Sequence, residues 1–287
     1  MRLCRFNDDR LGVVDGAEVC DVTAALDILP PYRYPLPHGD MLIAHLPAIR
    51  MRAAELVPAA PRLPLSAVRL LSPVANPGKV IGAPVNYLKH LEEVREQRAL
   101  NHGNASHSAP IHTAGVFLKA TRSVVGPGEG VAVRYPDRRT DHEVELGLVI
   151  GRRASEVPVH DALSYVAGYV IGLDITIRGS EERSLRKSVD SYTVIGPWLV
   201  TADDIEEPGA LDMRLTVNGE VRQQASTALL IMNCAELIAY ASSFYTLEPG
   251  DILITGTPEG VSPIVPGDRI EARISQVGEM TVAVRPW

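Results

Sequence analysis

Residues 141–151 read DHEVELGLVIG, and no other stretch restricts the possible folds as much. Val144, Leu146, Leu148 and Ile150 alternate as the core-facing side of a β-strand does. The opposite side carries Glu143, Glu145 and Gly147. Carboxylates two residues apart on a strand repel each other, and burying either without a partner is costly. A cation meets them, or that face lies open to solvent.

A second segment poses the same problem about thirty residues on. In YVIGLDITIR, Tyr169, Ile171, Leu173, Ile175 and Ile177 form one apolar face of a single strand, while Gly172, Asp174, Thr176 and Arg178 form the other. Glu143, Glu145 and Asp174 together offer an all-oxygen donor set of the kind hard divalent ions prefer, Mg²⁺ or Mn²⁺ first. Carboxylates at i and i+2 have Cα atoms about 6–7 Å apart, close enough to converge on one ion. The small residues Gly147 and Gly172 are expected to leave room for it. The competing reading is a solvated sheet face on which Asp174 pairs with Arg178.

Composition narrows the class of protein. The chain has 287 residues, 46% hydrophobic and 22% charged, which suits a globular protein with a substantial core. A net charge of −7 argues against a nucleic-acid partner. No apolar run approaches the roughly 20 residues that span a bilayer, so no membrane role is expected. The N-terminal MRLCRFNDDR lacks the apolar core of a signal peptide, and Cys4, Cys20 and Cys234 are scattered without metal-ligand spacing. A cytoplasmic location fits both features.

Pro58, Pro61, Pro64 and Pro73 punctuate a linker, and a boundary is placed at residue 72. Residues 1–72 then form a small N-terminal α/β domain and residues 73–287 a larger second domain. In the first, Asp15-Gly16 signals a hairpin and MLIAHLPAIRMRAAEL a helix. In the second, LKHLEEVREQRAL reads as an exposed helix, NHGNASHSAPIHTAG as a long polar lid-like loop, and HDALSYVAGY and TALLIMNCAELIAYASSFYTL as helices among strands. The class expected is α+β, rich in β structure. His102, His107 and His112 recur every five residues, which is no zinc frame, and His142 should point away from the acids.

An ordered series of motifs then resembles the fumarylacetoacetate hydrolase (FAH) family: NYLKH with a following Glu, GVFLK, EVELGLVIG, VAGYVIGLDITIR, RKSVDSYTVIGPW, VNGE, LEPGDILITGTPEGV and GDRIEARISQVGEM. The resemblance covers most of the chain after Pro73. It implies an FAH-like mixed β-sandwich or β-roll with a smaller N-terminal domain, commonly as a homodimer. It also implies Mg²⁺ or Mn²⁺ held by Glu143, Glu145 and Asp174, which answers the opening puzzle with a cation.

Further roles follow from the same resemblance. His90 and Glu93 stand three apart on one helix face, where a carboxylate can orient an imidazole as general base; an ordinary exposed pair is the bland alternative. Lys187 matches the family's active-site lysine and would stabilise an oxyanion or enolate. Thr257 resembles a substrate contact, although Gly256 and Pro258 also make a plain turn. Arg178 would hold a substrate carboxylate or balance Asp174, and Tyr87 and Lys119 would line the pocket. The chain departs from the family's T-x-R-D-x-Q run: TIRGSEERS puts Gly179 at the Asp and Glu181 at the Gln. An anionic substrate tail there needs Arg183 or Arg186 to compensate.

The reaction expected is hydrolysis of a carbon–carbon bond in a β-diketo acid, an acylpyruvate- or fumarylacetoacetate-like compound from aromatic catabolism. The same metal enolate would also serve a 2-oxo acid decarboxylase or tautomerase, or a hydroxymuconate-type isomerase. A scaffold that keeps the acids only for stability is the non-enzymic alternative.

Overall fold

The computed structural model of the chain describes residues 1–102 and 105–287. Its centre is the strand Val144–Ile150, buried along its whole length. It pairs antiparallel with Val166–Asp174 on one side, setting Glu145 opposite Gly172, and with Ile252–Ile254 on the other. Val144, Leu146, Leu148 and Ile150 join Tyr169, Ile171 and Leu173 in the main core. The opposite face is not solvated. There Val149, Val170, Ile195, Leu199, Ile252 and Ile254 pack on Ile43, Leu46, Ile49 and Ala53 of the N-terminal helical segment. Two apolar layers therefore enclose one sheet, and Glu143, Glu145 and Asp174 are buried rather than spread on a solvated face.

Among the described residues that sheet has twelve strands, a second sheet has five, and a three-stranded sheet joins Thr140–His142 to Thr176–Ile177 and Ser262–Pro263. The β-rich α+β class holds. The strand expected over 169–178 is not continuous: it leaves the large sheet after Asp174 and enters the small one at Thr176. Its neighbour makes the same change at Glu143, between Thr140–His142 and Val144–Ile150. The Asp174 N–H bonds the Glu143 carbonyl at 2.9 Å across this double break.

The N-terminal strands Arg2–Phe6, Arg10–Asp15, Glu18–Asp21 and Arg62–Pro64 extend the large sheet, since Arg2–Phe6 pairs with Thr193–Thr201. Residues 1–72 and the remainder thus share one sheet. The expected hairpin forms with Gly16 and Ala17 in its turn, and the expected helix runs over Leu46–Leu56 after a short helical turn at Met41–Ala44. HDALSYVAGY is not a helix: a 3₁₀ segment covers Val159–Tyr165, and β-branched Val166 opens the strand. Cys234–Phe244 is helical behind an Asn233–Glu236 capping box. Residues 101–115 carry the short turns Ala105–Ser108 and Ile111–Ala114 rather than a featureless loop; residues 103 and 104 lie outside the described residues. Among the described residues no helix is long and apolar enough to cross a membrane.

Gly147 and Gly172 owe their size to packing, not to room for an ion. A Cβ on Gly147 would stand 2.5 Å from Val170 Cγ2, and one on Gly172 would stand 2.9 Å from Ile254 Cγ2. Both neighbours are buried in the second apolar layer and have little freedom to retreat. Gly147→Ala is expected to destabilise the protein by about 1–3 kcal/mol through overpacking, read as a lower urea midpoint with an unchanged slope.

Candidate active site

The double break between sheets gathers the acids. Glu143, Glu145 and Asp174 are buried, and one ligand oxygen from each lies within 4.8 Å of the others. Backbone and cationic donors hold them there. Glu143 accepts from Arg178 Nη2 at 2.8 Å and Lys187 Nζ at 2.7 Å. Asp174 accepts from Lys187 Nζ at 2.6 Å and from Lys119 Nζ. Glu145 accepts from the Gly256 N–H at 2.6 Å. Lys187 has all three ammonium donors engaged, the third on Thr176 Oγ1 at 2.7 Å.

The three carboxyls differ in their electrostatics. Burial pushes Glu143 upward, but Lys187, Arg178 and His90 together hold it well below the usual carboxylate range. For Glu145, burial comes first and repulsion from Asp174 and Glu143 adds to it, which drives its pKa well above that range. Its nearest bonded partner is a backbone N–H, not a cation. A hard divalent cation fits such a donor set: three convergent oxygens, with one carboxyl that needs added positive charge to ionise.

His90 reaches the same pocket from the helix Leu88–Glu96, whose inward face carries His90, Leu91 and Val94. Its Nδ1 lies 2.8 Å from Glu93 Oε2, and Glu93 Oε1 accepts the Gly260 N–H at 3.0 Å. The neighbouring Glu92 is exposed. One turn, GTPEG, therefore anchors both Glu145 and Glu93. Gly256 and Gly260 have φ of +96° and +95°, where L side chains are strained. A Cβ would stand 2.7 Å from Asn86 Cβ at the first and 2.0 Å from the Arg222 carbonyl at the second. Asn86 fixes the start of the helix by bonding Met232 N–H and the carbonyls of Met232 and Thr255. Beside it Val85, on the pocket wall, has φ of +47°, a costly conformation for a β-branched residue.

His90, Glu143, Glu145, Asp174, Arg178, Lys187 and Thr257 line one pocket. Thr257 donates to the Val144 carbonyl at 3.0 Å and accepts from Gln223 at 2.8 Å. Other expected positions differ. Tyr87 turns into the main core with its hydroxyl 3.7 Å from Met213 Sδ. Lys119 is fully buried behind Asp174, bonded also to the Tyr192 carbonyl, and burial lowers its pKa. Glu181 points outward to Arg138 at 2.9 Å. Arg178 balances Asp141 and Glu143 rather than Asp174, because the chain has changed sheets by Thr176.

The sequence reading passed over several lining residues: Val85, Val94, Leu100, His107 and Phe117. Burial, with Arg186 and Arg183 nearby, lowers His107 to about 4, so it is neutral at pH 7. Gln223 was missed as well. From the strand Glu220–Ser226 it donates to Thr257 and the Pro258 carbonyl, and accepts from Val144 N–H and His142 Nδ1, both at 3.1 Å. His142 is buried between Gln223 at its Nδ1 and Ser262 at its Nε2 and is not among the pocket-lining residues. Gln223→Leu should cost about 1–3 kcal/mol for each buried group it orphans, visible as a lowered melting temperature with the fold retained by circular dichroism.

Comparison with known proteins follows the same lines. The family model described as fumarylacetoacetate (FAA) hydrolase C-terminal matches residues 79–285. A maleylpyruvate hydrolase of Aquipseudomonas alcaligenes is 59% identical over 285 residues, covering 99% of each chain. The crystal structure of maleylpyruvate hydrolase from Sphingobium sp. SYK-6, in complex with manganese(II) and pyruvate, superposes with a TM-score of 0.84 at 39% identity. That match covers 100% of this chain and 99% of the other. A 5-carboxymethyl-2-hydroxymuconate delta-isomerase structure from Mycobacterium smegmatis aligns at a TM-score of 0.71 and 28% identity, covering 100% of both chains. The shared fold, the ordered motifs and these full-length matches agree: this chain belongs to the fumarylacetoacetate hydrolase family.

Proposed function

We propose that this chain is a metal-dependent hydrolase of acylpyruvates whose substrate is maleylpyruvate, cleaved with water to maleate and pyruvate. One observation carries the reading. The His90 imidazole, oriented through Nδ1 by Glu93, opens on the same pocket as the three convergent carboxyls. An enolate-forming site and a base for water thus stand together. The full-length likeness to the maleylpyruvate hydrolase of Aquipseudomonas alcaligenes, and to the Sphingobium enzyme crystallised with manganese(II) and pyruvate, supports the substrate.

Glu143, Glu145 and Asp174 would hold Mg²⁺ or Mn²⁺, which supplies a Lewis acid for the 2-oxo acid oxygens and the enolate charge. His90 Nε2 takes a proton from water, and the new hydroxide oxygen bonds to the acyl carbonyl carbon. Glu93 holds the proton on Nδ1 in place and stabilises the imidazolium. Lys187 lends positive charge to the oxyanion from the pocket wall. When the oxyanion collapses, the carbon–carbon bond breaks with its electron pair on the pyruvate methylene. His90 returns its proton to that carbon, so atoms and charge balance. A tautomerase or isomerase needs no attacking water and so makes less use of the oriented dyad, which favours hydrolysis.

Glu145→Ala is expected to abolish both Mn²⁺ binding, measured by isothermal titration, and turnover of maleylpyruvate. Retained metal-dependent activity would reject the ligand assignment. His90→Ala should bind Mn²⁺ as the parent does while kcat falls about 10²–10⁴-fold. Product analysis by mass spectrometry must return maleate and pyruvate; an isomer of unchanged mass would replace this reading with the isomerase one.

A further inference from the structure

The short helix Arg183–Lys187 brings three cationic side chains to the pocket that His90 also lines. Four cationic side chains line that pocket: Arg178, Arg183, Arg186 and Lys187. Three are engaged by the protein. Arg178 bonds Asp141 and Glu143, Lys187 bonds Glu143, Asp174 and Thr176, and Arg186 bonds the carbonyls of Glu181 and Ile177 at 2.9 and 3.2 Å. Arg183 differs. Among the described residues no acceptor lies within hydrogen-bond reach of its guanidinium, whose carbon stands 5.8 Å from the Phe117 ring centroid.

The two acids beside it are not hydrogen-bonded to it. Glu181 faces outward to Arg138, and Glu182 caps the helix by accepting the Ser184 N–H at 2.6 Å. A partly buried guanidinium that bonds no acceptor among the described residues invites a planar anion with two oxygens, which it can grip in a bidentate fork. Charge points the same way. Four cations face three carboxyls, and a divalent ion would add two more positive charges, so a dianion balances the pocket better than a monoanion.

We propose that Arg183 is the specificity-determining residue that binds the carboxylate at the far end of the substrate's acyl arm, making the chain selective for dicarboxylic acylpyruvates. The proposal deepens the function given above and rests on it for the identity of the other carboxylate, the one on the pyruvate half. It also accounts for the departure at Glu181: the acid has turned away, and the arginine two residues on serves the pocket.

The test compares maleylpyruvate with acetylpyruvate, whose acyl arm ends in a neutral methyl group, on the Mn²⁺-loaded parent, Arg183→Met and Arg183→Lys. For Arg183→Met the ratio of kcat/KM values, maleylpyruvate over acetylpyruvate, should fall about 10- to 100-fold, mostly through KM. Arg183→Lys, with its charge but no fork, should fall in between. A second readout needs no turnover: calorimetric titration with maleate should show at least tenfold weaker binding to Arg183→Met, with Mn²⁺ affinity and unfolding midpoint near those of the parent. A ratio that stays within threefold, or maleate affinity that does not change, overturns the subsite. If the parent hydrolyses neither compound, the reaction assigned above fails instead, and the maleate titration alone decides Arg183.

Discussion

Three buried carboxyl groups each present an oxygen within 4.8 Å of the others at one pocket, and the surrounding architecture answers that repulsion. Lys119, Lys187 and Arg178 arrive from three separate segments to bond two of the acids, while Glu145 has only a backbone N–H. Removing one partner from such a buried group leaves an uncompensated charge, which typically costs about 3–5 kcal/mol. The cluster therefore has to be assembled as a unit. The large sheet supplies two adjacent strands, and the change of sheet at Glu143 and Asp174 frees both side chains from strict alternation and turns them toward one point.

The function proposed above divides the pocket's labour by chemistry. In it the carboxyls and Lys187 would manage the charge of a 2-oxo acid and its enolate. The helix carrying His90 and Glu93 would manage a proton. Both would depend on contacts some distance in sequence from the reacting groups: Asn86 bridging to Met232 and Thr255, and Gln223 tying the five-stranded sheet to Thr257. These amides are fully buried and bonded on both ends, which gives them one arrangement and so gives the site one geometry.

How much of this was legible in the sequence depended on the range of the interaction involved. The E-x-E strand, the later Asp and the i,i+3 His–Glu pair are local patterns, and all appear where they were expected. The fate of Arg178 was not legible, because a four-residue offset from Asp174 reads as a neighbour only if the strand continues, and it breaks. Tyr87 and Lys119 look like pocket residues beside good motifs, but their direction is set by packing partners, Met213 and Asp174, that lie far along the chain. Gly147 and Gly172 signalled space, and the space belongs to Val170 and Ile254. Gln223 carries no signal at all: VRQQAS holds two glutamines, and only the register of its hairpin turns one inward.

The turn from Gly256 to Gly260 joins two functions that mechanisms usually treat apart. Through one backbone amide it seats an acid of the charge-holding cluster, and four residues later, through another, it seats the carboxylate behind the imidazole. The spacing between the carboxyl cluster and the imidazole is thus gauged by a single short piece of backbone rather than by two independent loops. Evolution of new substrates in such a scaffold can vary the far wall freely, whereas drift in this turn would detune both halves of the reaction at one stroke.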